Sequence, residues 1–278
     1  MVLFDKPFQR NYRPVKRNSN SGYSSWAYIV DHDYANNPLQ YTRGFISIQE
    51  ELKSLFDYIE PADVNLNTFS YKIQQLLIRT CIEVESNFKA ILKENVYKPK
   101  TDKGKNIPEK QWKMMNYGVI NKTHHLDEYV VRLPYWNGKK NVFSPFHDWK
   151  KENNYKLDWY DAYNQCKHNR AENFPQANFK NLLNAVSALL IVLSSQFGKE
   201  SFMPGNDTLE MQTDSYYKGN FALGDFFLIE YPKWNENEMY DFDWSELKNS
   251  KVRFNKIDYD LLSCQKNDSD EINYIAKE

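Results

Sequence analysis

Apolar residues recur at helical intervals in four parts of this chain. Within Asn67–Glu94, Ile73, Leu77, Cys81, Val84, Phe88 and Ile91 follow one another at three- and four-residue steps, a single stripe down one helix face. Glu85 and Lys89 flank it in the favourable order for an ion pair. A shorter stripe of Ile48, Leu52, Leu55, Phe56 and Ile59 predicts a helix over Ser47–Ile59, with Ser47 and Glu50 as a capping box and Pro61 as its stop. Asp158, a good N-cap, opens a third helix that buries Trp159, Ala162, Tyr163 and Cys166. Pro175 disfavours helical geometry at Phe174, so this helix is expected to end near Arg170–Asn173. The fourth runs from about Pro175 to Phe197, with Gly198 as its stop. Its apolar residues, among them Leu182, Val186, Leu189 and Leu193, spread almost all round the axis, as in a helix at the centre of a bundle.

Between and beyond these helices the pattern changes. Residues 1–40 carry few periodic apolar positions and predict an irregular arm. Residues 95–155 form an insertion, with a short helix over Pro108–Gly118 and a hairpin over Val130–Val142. In that hairpin Asn137-Gly138 is expected to supply the positive φ angles of a tight turn, and Pro134 to keep the strand at an edge. Past Lys199, Phe221–Tyr231 and Val252–Leu262 each read as a strand, before a polar end expected to fray. The expected fold is mainly α: a helical bundle over 41–198 with an irregular, hairpin-bearing insertion, and a small β-containing appendage with an acidic tail over 199–278.

Charge sharpens this division. The net charge is −1, yet Lys93–Lys151 holds 13 Lys/Arg against 6 Asp/Glu, and Asn206–Glu278 holds 8 against 16. The basic insertion interleaves its lysines with aromatic rings, a composition suited to single-stranded nucleic acid and equally to an ordinary soluble loop. Lys110, Trp112, Lys113 and Trp136 are the candidate RNA contacts within it. The most apolar run, Leu182–Leu193, is too short to span a bilayer, and the N-terminus lacks a signal-peptide core. A soluble, cytoplasmic protein with no membrane partner is expected, its cysteines reduced and Cys81 and Cys166 buried. No Cys pair has zinc spacing, and there is no phosphate-binding Gly-rich loop or nucleophile elbow. His124-His125 with Asp127 offers possible ligands, but adjacent residues rarely chelate one ion, so neither metal nor cofactor is expected.

The chemistry concentrates at Asn164–Arg170. On a helix Asn164, Lys167 and His168 share one face. Arg170 lies about 200° round the axis from His168, so the two converge only if the last turn loosens or a second subunit completes the site. Histidine transfers protons near neutral pH, and arginine grips phosphate with a planar fork. Together they suit attack of an RNA 2′-hydroxyl on its neighbouring phosphate. The same cations at a helix C-terminus also complement its dipole, which leaves a purely structural role open.

The pairing of IRTCIEVESNFKAIL (Ile78–Leu92) with YNQCKHNRAENFPQANFKNLLNAVSALLIVL (Tyr163–Leu193) resembles the HEPN superfamily, and in particular its bacterial members with a Lys-His-x-Arg sequence. The resemblance covers the helices, about half the chain. It implies a HEPN-like helical bundle and a metal-independent endoribonuclease of a bacterial toxin–antitoxin, abortive-infection, anti-phage or stress-response system. His168 and Arg170 would be catalytic, with Asn164 and Lys167 in support. A homodimer with two motifs across a cleft is implied, as is an antitoxin or another defence-system protein as partner. The superfamily's usual order, Arg followed a few residues later by His, is absent, since His168 precedes Arg170. The alternative implied is a non-catalytic HEPN-like interaction module, or one that binds nucleotide or RNA.

Overall fold

A computed structural model of the chain describes residues 4–16, 31–101, 103–151, 155–198, 220–221, 223–224 and 226–264. The acidic end beyond Cys264, with its expected fraying, lies outside them. The structure is mainly helical with a small antiparallel sheet. Four long helices carry it: α1 (Pro38–Phe56), α2 (Tyr71–Glu94), α3 (Asp158–His168) and α4 (Phe179–Phe197). Among the described residues no helix is long and apolar enough to cross a membrane.

The helix at the centre is α4. Asn178 caps it by accepting from the Asn181 amide at 3.0 Å, and Gly198 ends it with φ +77°. From Leu182 to Phe197 only Asn184 is not buried. Packed against it are α1, α2 and α3, as the all-round apolar pattern predicts. The α2 stripe is buried throughout, and Ser70 caps that helix by accepting from the Ile73 amide. Glu85 and Lys89 pair at 3.8 Å, and Cys81 and Cys166 are buried.

Several helix boundaries differ from expectation: α1 ends at Phe56 rather than Ile59, and α2 and α4 start at Tyr71 and Phe179 rather than Asn67 and Pro175. α1 begins at Pro38, not Ser47, because Asn37 adopts a left-handed conformation and Pro38 fits the first helical position. Ser47 therefore caps nothing; mid-helix, its hydroxyl accepts from Arg79 at 2.8 Å. α3 stops at His168 rather than near Arg170–Asn173. Asn169, with φ −142° and ψ 76°, breaks it, and a separate turn follows over Arg170–Asn173. The Asn169 amide side chain donates to Glu172 at 2.7 Å while its carbonyl accepts from both amide groups of Asn173. Such local bonds compete with the helical ladder.

The sheet has the order β2-β1-β4-β3, with β1 (Val130–Arg132), β2 (Val142–Phe143), β3 (Asn220–Phe221) and β4 (Leu228–Glu230) all antiparallel to their neighbours. The hairpin of β1 and β2 forms, but its turn is not the tight one expected. A longer loop closes from the Leu133 amide to the Asn141 carbonyl at 3.0 Å. Gly138 alone in that pair has positive φ; Asn137 is extended against Ala62, its amide donating to the Pro61 carbonyl at 2.8 Å. Pro134 lies past the end of β1, which is an inner strand because β4 pairs its other side. Phe221–Tyr231 is a strand pair, β3 and β4, not one strand. Val252–Leu262 is no strand either: Asn255 and Asp258 make isolated bridges to Phe8 and Val96, and a helix starts at Tyr259. Pro108–Gly118 is split between a 3-10 turn and a short helix, and Gly118, with φ −57°, does not stop the chain, which stays helical to His124.

Residues 4–16 are irregular, as expected, yet they run through the interior. The Tyr12 amide donates to Ser195 at the end of α4, and Phe8, Arg10, Asn11 and Arg13 are buried. Arg10 meets Glu94 at 2.8 Å and donates to Gln196 and to the Asn36 carbonyl. Arg13 donates to Asn11, to the Glu238 carbonyl and to the Thr123 carbonyl. His124 completes this buried polar layer. Its Nε2 faces the Arg10 carbonyl at 2.8 Å, which requires the proton there, and Nδ1 faces the Thr123 hydroxyl at 2.8 Å.

Two predictions follow from this packing. Leu182→Ala or Leu189→Ala removes a fully buried side chain from α4 and should cost on the order of 2–5 kcal/mol by urea denaturation. The second concerns pH. Burial drives the His124 pKa down to about 3, outweighing the opposing contact with the Arg10 carbonyl. The unfolded chain takes up this proton near pH 6.5, so stability should fall as pH drops from about 6.5 toward 3. His125 behaves in the opposite sense. Burial would lower its pKa, but Glu238 and Glu128 raise it overall, so its contribution is present below about pH 6.5 and lost at higher pH. Denaturation midpoints measured between pH 6.5 and 4.5 should decline in the wild type and flatten in His124→Gln; an unchanged slope in that variant would refute the assignment.

Candidate functional site

The Asn164–Arg170 segment occupies the end of α3 and the turn beyond it. The buried side of α3, Trp159, Ala162, Tyr163 and Cys166, fixes the helix against α2 and α4. Trp159 anchors its start by donating to the Pro145 carbonyl at 3.0 Å. That docking turns Tyr160, Asn164 and His168 outward along one row, four residues apart.

Asn164 is half-buried, whereas Lys167, His168 and Arg170 are exposed. The Lys167 ammonium donates to the Tyr163 hydroxyl at 3.2 Å. This contact, the largest influence, raises the Lys167 pKa, so the ammonium is the form present at neutral pH. Among the described residues His168 has no hydrogen-bond partner. The break at Asn169 does loosen the chain after His168, but the Arg170 guanidinium turns to the Tyr71 ring, 5.4 Å from its centroid.

The structure brings Asn164 together with part of the basic insertion. A groove of about 600 Å³ runs beside α3, lined among others by Trp112, Lys113, Tyr155, Tyr160, Asn164 and the Lys156–Asp161 ion pair at 3.7 Å. Trp112 is held there by donating to the Ile107 carbonyl at 3.1 Å and by its edge contact with Tyr97. Under the groove the Tyr160 hydroxyl donates to Glu85 at 2.9 Å, and burial, then the Glu85 charge, push that phenol far up, so it stays a neutral donor. Lys110 is exposed near the groove's Trp112–Lys113 wall in sequence, and Lys98, Lys100, Lys103 and Lys105 are exposed on a tight loop that turns at Gly104. Tyr160 and Tyr155 escaped the sequence reading, although Tyr160 stands one turn before Asn164 on the same face.

Trp136 is placed elsewhere. Its ring stacks on Phe179, at the start of α4, with centroids 6.4 Å apart, and its indole donates to Asp63 at 2.7 Å. Asp63 also accepts from the Lys139 and Lys140 amides, and these hydrogen bonds, led by Lys139, hold its carboxyl below its ordinary range. A Cβ on Gly138 would overlap that carboxylate, so the glycine is required by close approach as well as by φ. This tryptophan anchors a loop.

His124 and His125 do not gather a metal with Asp127. His124 is spent on the Arg10 carbonyl, and His125 lies between Glu128 and Glu238, each at 3.3 Å. Its hydrogen bond holds Glu238 down to about 2. Comparison of the chain with family models, curated proteins and solved structures found no match.

Trp136→Ala should lower the melting temperature and speed hydrogen exchange at the 137–140 amides, since it removes both the stack on Phe179 and a hydrogen bond to Asp63. Unchanged exchange at those amides would contradict the anchoring role.

Proposed function

We propose that this protein is a metal-independent endoribonuclease that takes single-stranded RNA along the α3 groove and cleaves it at His168. The observation that carries the reading is the row Tyr160, Asn164, His168, which leads from an aromatic groove bearing Lys113 and a Lys156–Asp161 ion pair to an exposed imidazole. The Lys-His-x-Arg resemblance to HEPN proteins points the same way.

In this reaction the RNA 2′-oxygen attacks the adjacent phosphorus and gives up its proton to a base. The 5′-oxygen leaves with a proton from an acid, and a 2′,3′-cyclic phosphate remains. His168 moves the proton, and Arg170 holds the phosphate. The ring of Tyr71 accepts no N–H hydrogen bond in its plane, so the guanidinium beside it, 5.4 Å from the centroid, keeps donors for a phosphate. Lys167 adds positive charge, and Asn164 steers the strand between groove and imidazole. Lys110, Trp112 and Lys113 hold the approaching strand. One imidazole cannot serve as base and acid in the same step, so the reading includes a homodimer whose two Asn164–Arg170 segments share a cleft. The setting in bacterial defence, with an antitoxin-type partner, rests on the resemblance alone.

A second reading is favoured by one observation: no described group orients His168. In that case the same surface binds RNA, or another partner, without cutting.

Incubation with labelled RNA in EDTA separates the two. His168→Ala should reduce cleavage by about 10²–10⁴-fold with the circular dichroism spectrum unchanged. Arg170→Lys should also be damaging, because an ammonium cannot reproduce the planar fork. Light scattering at micromolar concentration should give a dimer. Wild-type protein that cuts no RNA, with or without candidate partners, or His168→Ala that cuts normally, would overturn the catalytic reading.

A further inference from the structure

Four aromatic side chains are exposed among the described residues: Tyr58, Phe69, Tyr71 and Tyr135. Two of them lie together beside Arg170. The half-buried Phe174 ring sits 5.3 Å from Phe69, edge to face, and 5.0 Å from Tyr71, tilted by 41°. The Arg170 guanidinium lies over Tyr71, which stays 60% exposed and so retains open ring surface.

The break at Asn169 builds this arrangement. It ends α3 and starts a new turn whose residues Arg170 and Phe174, four apart, reach across to the start of α2. Rings clustered only for the core would be covered, and these are not. Cations also outnumber carboxylates nearby. The Glu172 carboxylate accepts from the neutral Asn169 amide at 2.7 Å and keeps its charge, whereas Glu51 is paired with Arg79. Lys167 and Arg170 have no carboxylate partner among the described residues. Open ring surface beside unneutralised cations fits a ligand with flat faces and a repeating negative charge.

We infer that Tyr71, supported by Phe174 and Phe69, is the stacking platform for one unstacked nucleobase of single-stranded RNA, next to the phosphate held by Arg170. This rests on the ribonuclease reading for the identity of the strand, and it adds to the site a base-holding position that the Asn164–Arg170 segment itself lacks. Stacking on an aromatic face tolerates any base, so the platform sets strandedness and register, not sequence. A base lifted from its neighbours also frees the ribose beside it to turn its 2′-hydroxyl toward the phosphorus.

The test uses the full chain in EDTA, with His168→Ala as background so that binding is read without turnover. Anisotropy of a labelled, mixed-sequence single-stranded RNA of about 12 nucleotides should show Tyr71→Ala binding about 5- to 150-fold more weakly. Tyr71→Phe and Tyr71→Trp should retain affinity, and thermal midpoints should not move, because the ring is exposed. Abasic substitution along the RNA should cost the Tyr71-containing protein affinity at one position and cost Tyr71→Ala nothing there. Equal affinity of Tyr71→Ala and its parent for RNA overturns the platform while leaving the ribonuclease reading intact. Tyr71-dependent binding by a wild-type chain that never cleaves supports the platform and removes the nuclease. If Tyr71→Ala alters only the mass by light scattering, the platform is a contact between copies and the assignment fails; if wild type binds no single-stranded RNA, both fall.

Discussion

A buried guanidinium organises this molecule. Arg10 has no exposed side-chain surface, and leaving such a charge without partners in the interior would cost several kcal/mol. The chain offsets that cost by drawing three distant pieces onto one side chain: Glu94 at the end of α2, Gln196 at the end of α4 and Asn36 ahead of α1. The Tyr41 and Phe197 rings lie against it, 4.9 and 5.8 Å from its centre. Arg13 repeats the device three residues on, between Phe4 and Trp234. With both arginines satisfied, an irregular segment can cross the end of the central helix and close it from solvent.

This explains why some of the fold was legible in the sequence and some was not. Helices α2 and α4 announce themselves because burial on a helix forces a spacing, and Ile73 to Ile91 or Leu182 to Leu193 display it. Arg10, Asn11 and Arg13 display nothing of the kind, since a polar side chain buried through specific partners looks locally like a solvated one. The start of α1 was hidden in the same way: its first turns bury Pro38 and the polar Thr42, so its apolar stripe begins late. Strands were legible at Val130–Val142 and within Phe221–Tyr231, but not their union in one sheet, because β1 finds β4 far along the chain. The Asn137-Gly138 turn was misjudged because Asp63 and Pro61, remote in sequence, decide the conformation there.

The site divides along similar lines. That Asn164, Lys167 and His168 would share a helix end could be read from spacing alone. That Arg170 would turn away to Tyr71 could not, since it depends on the bonds of Asn169 with Glu172 and Asn173 and on a ring contributed by α2. The groove likewise joins Trp112 and Lys113 to Asn164 through tertiary packing. One wall of the groove comes from the 95–155 insertion and the other from α3, so its shape depends on how the insertion packs against the bundle.

The irregular segment 4–16 also sets an order of events in folding. The Phe8 amide donates to the Tyr240 hydroxyl, 232 residues away in sequence, and the Tyr259 amide donates to the Val96 carbonyl. A ribosome adding about 5–20 residues per second completes the four long helices well before it makes either partner. During that interval Arg13 lacks the Glu238 carbonyl and the Trp234 ring, and the Phe8 amide lacks its hydroxyl partner. Pairings so distant in the chain favour slow closure. The half-made protein is thus a bundle whose N-terminal segment is only partly pinned, and the residues around Tyr240 and Tyr259 act as its latch.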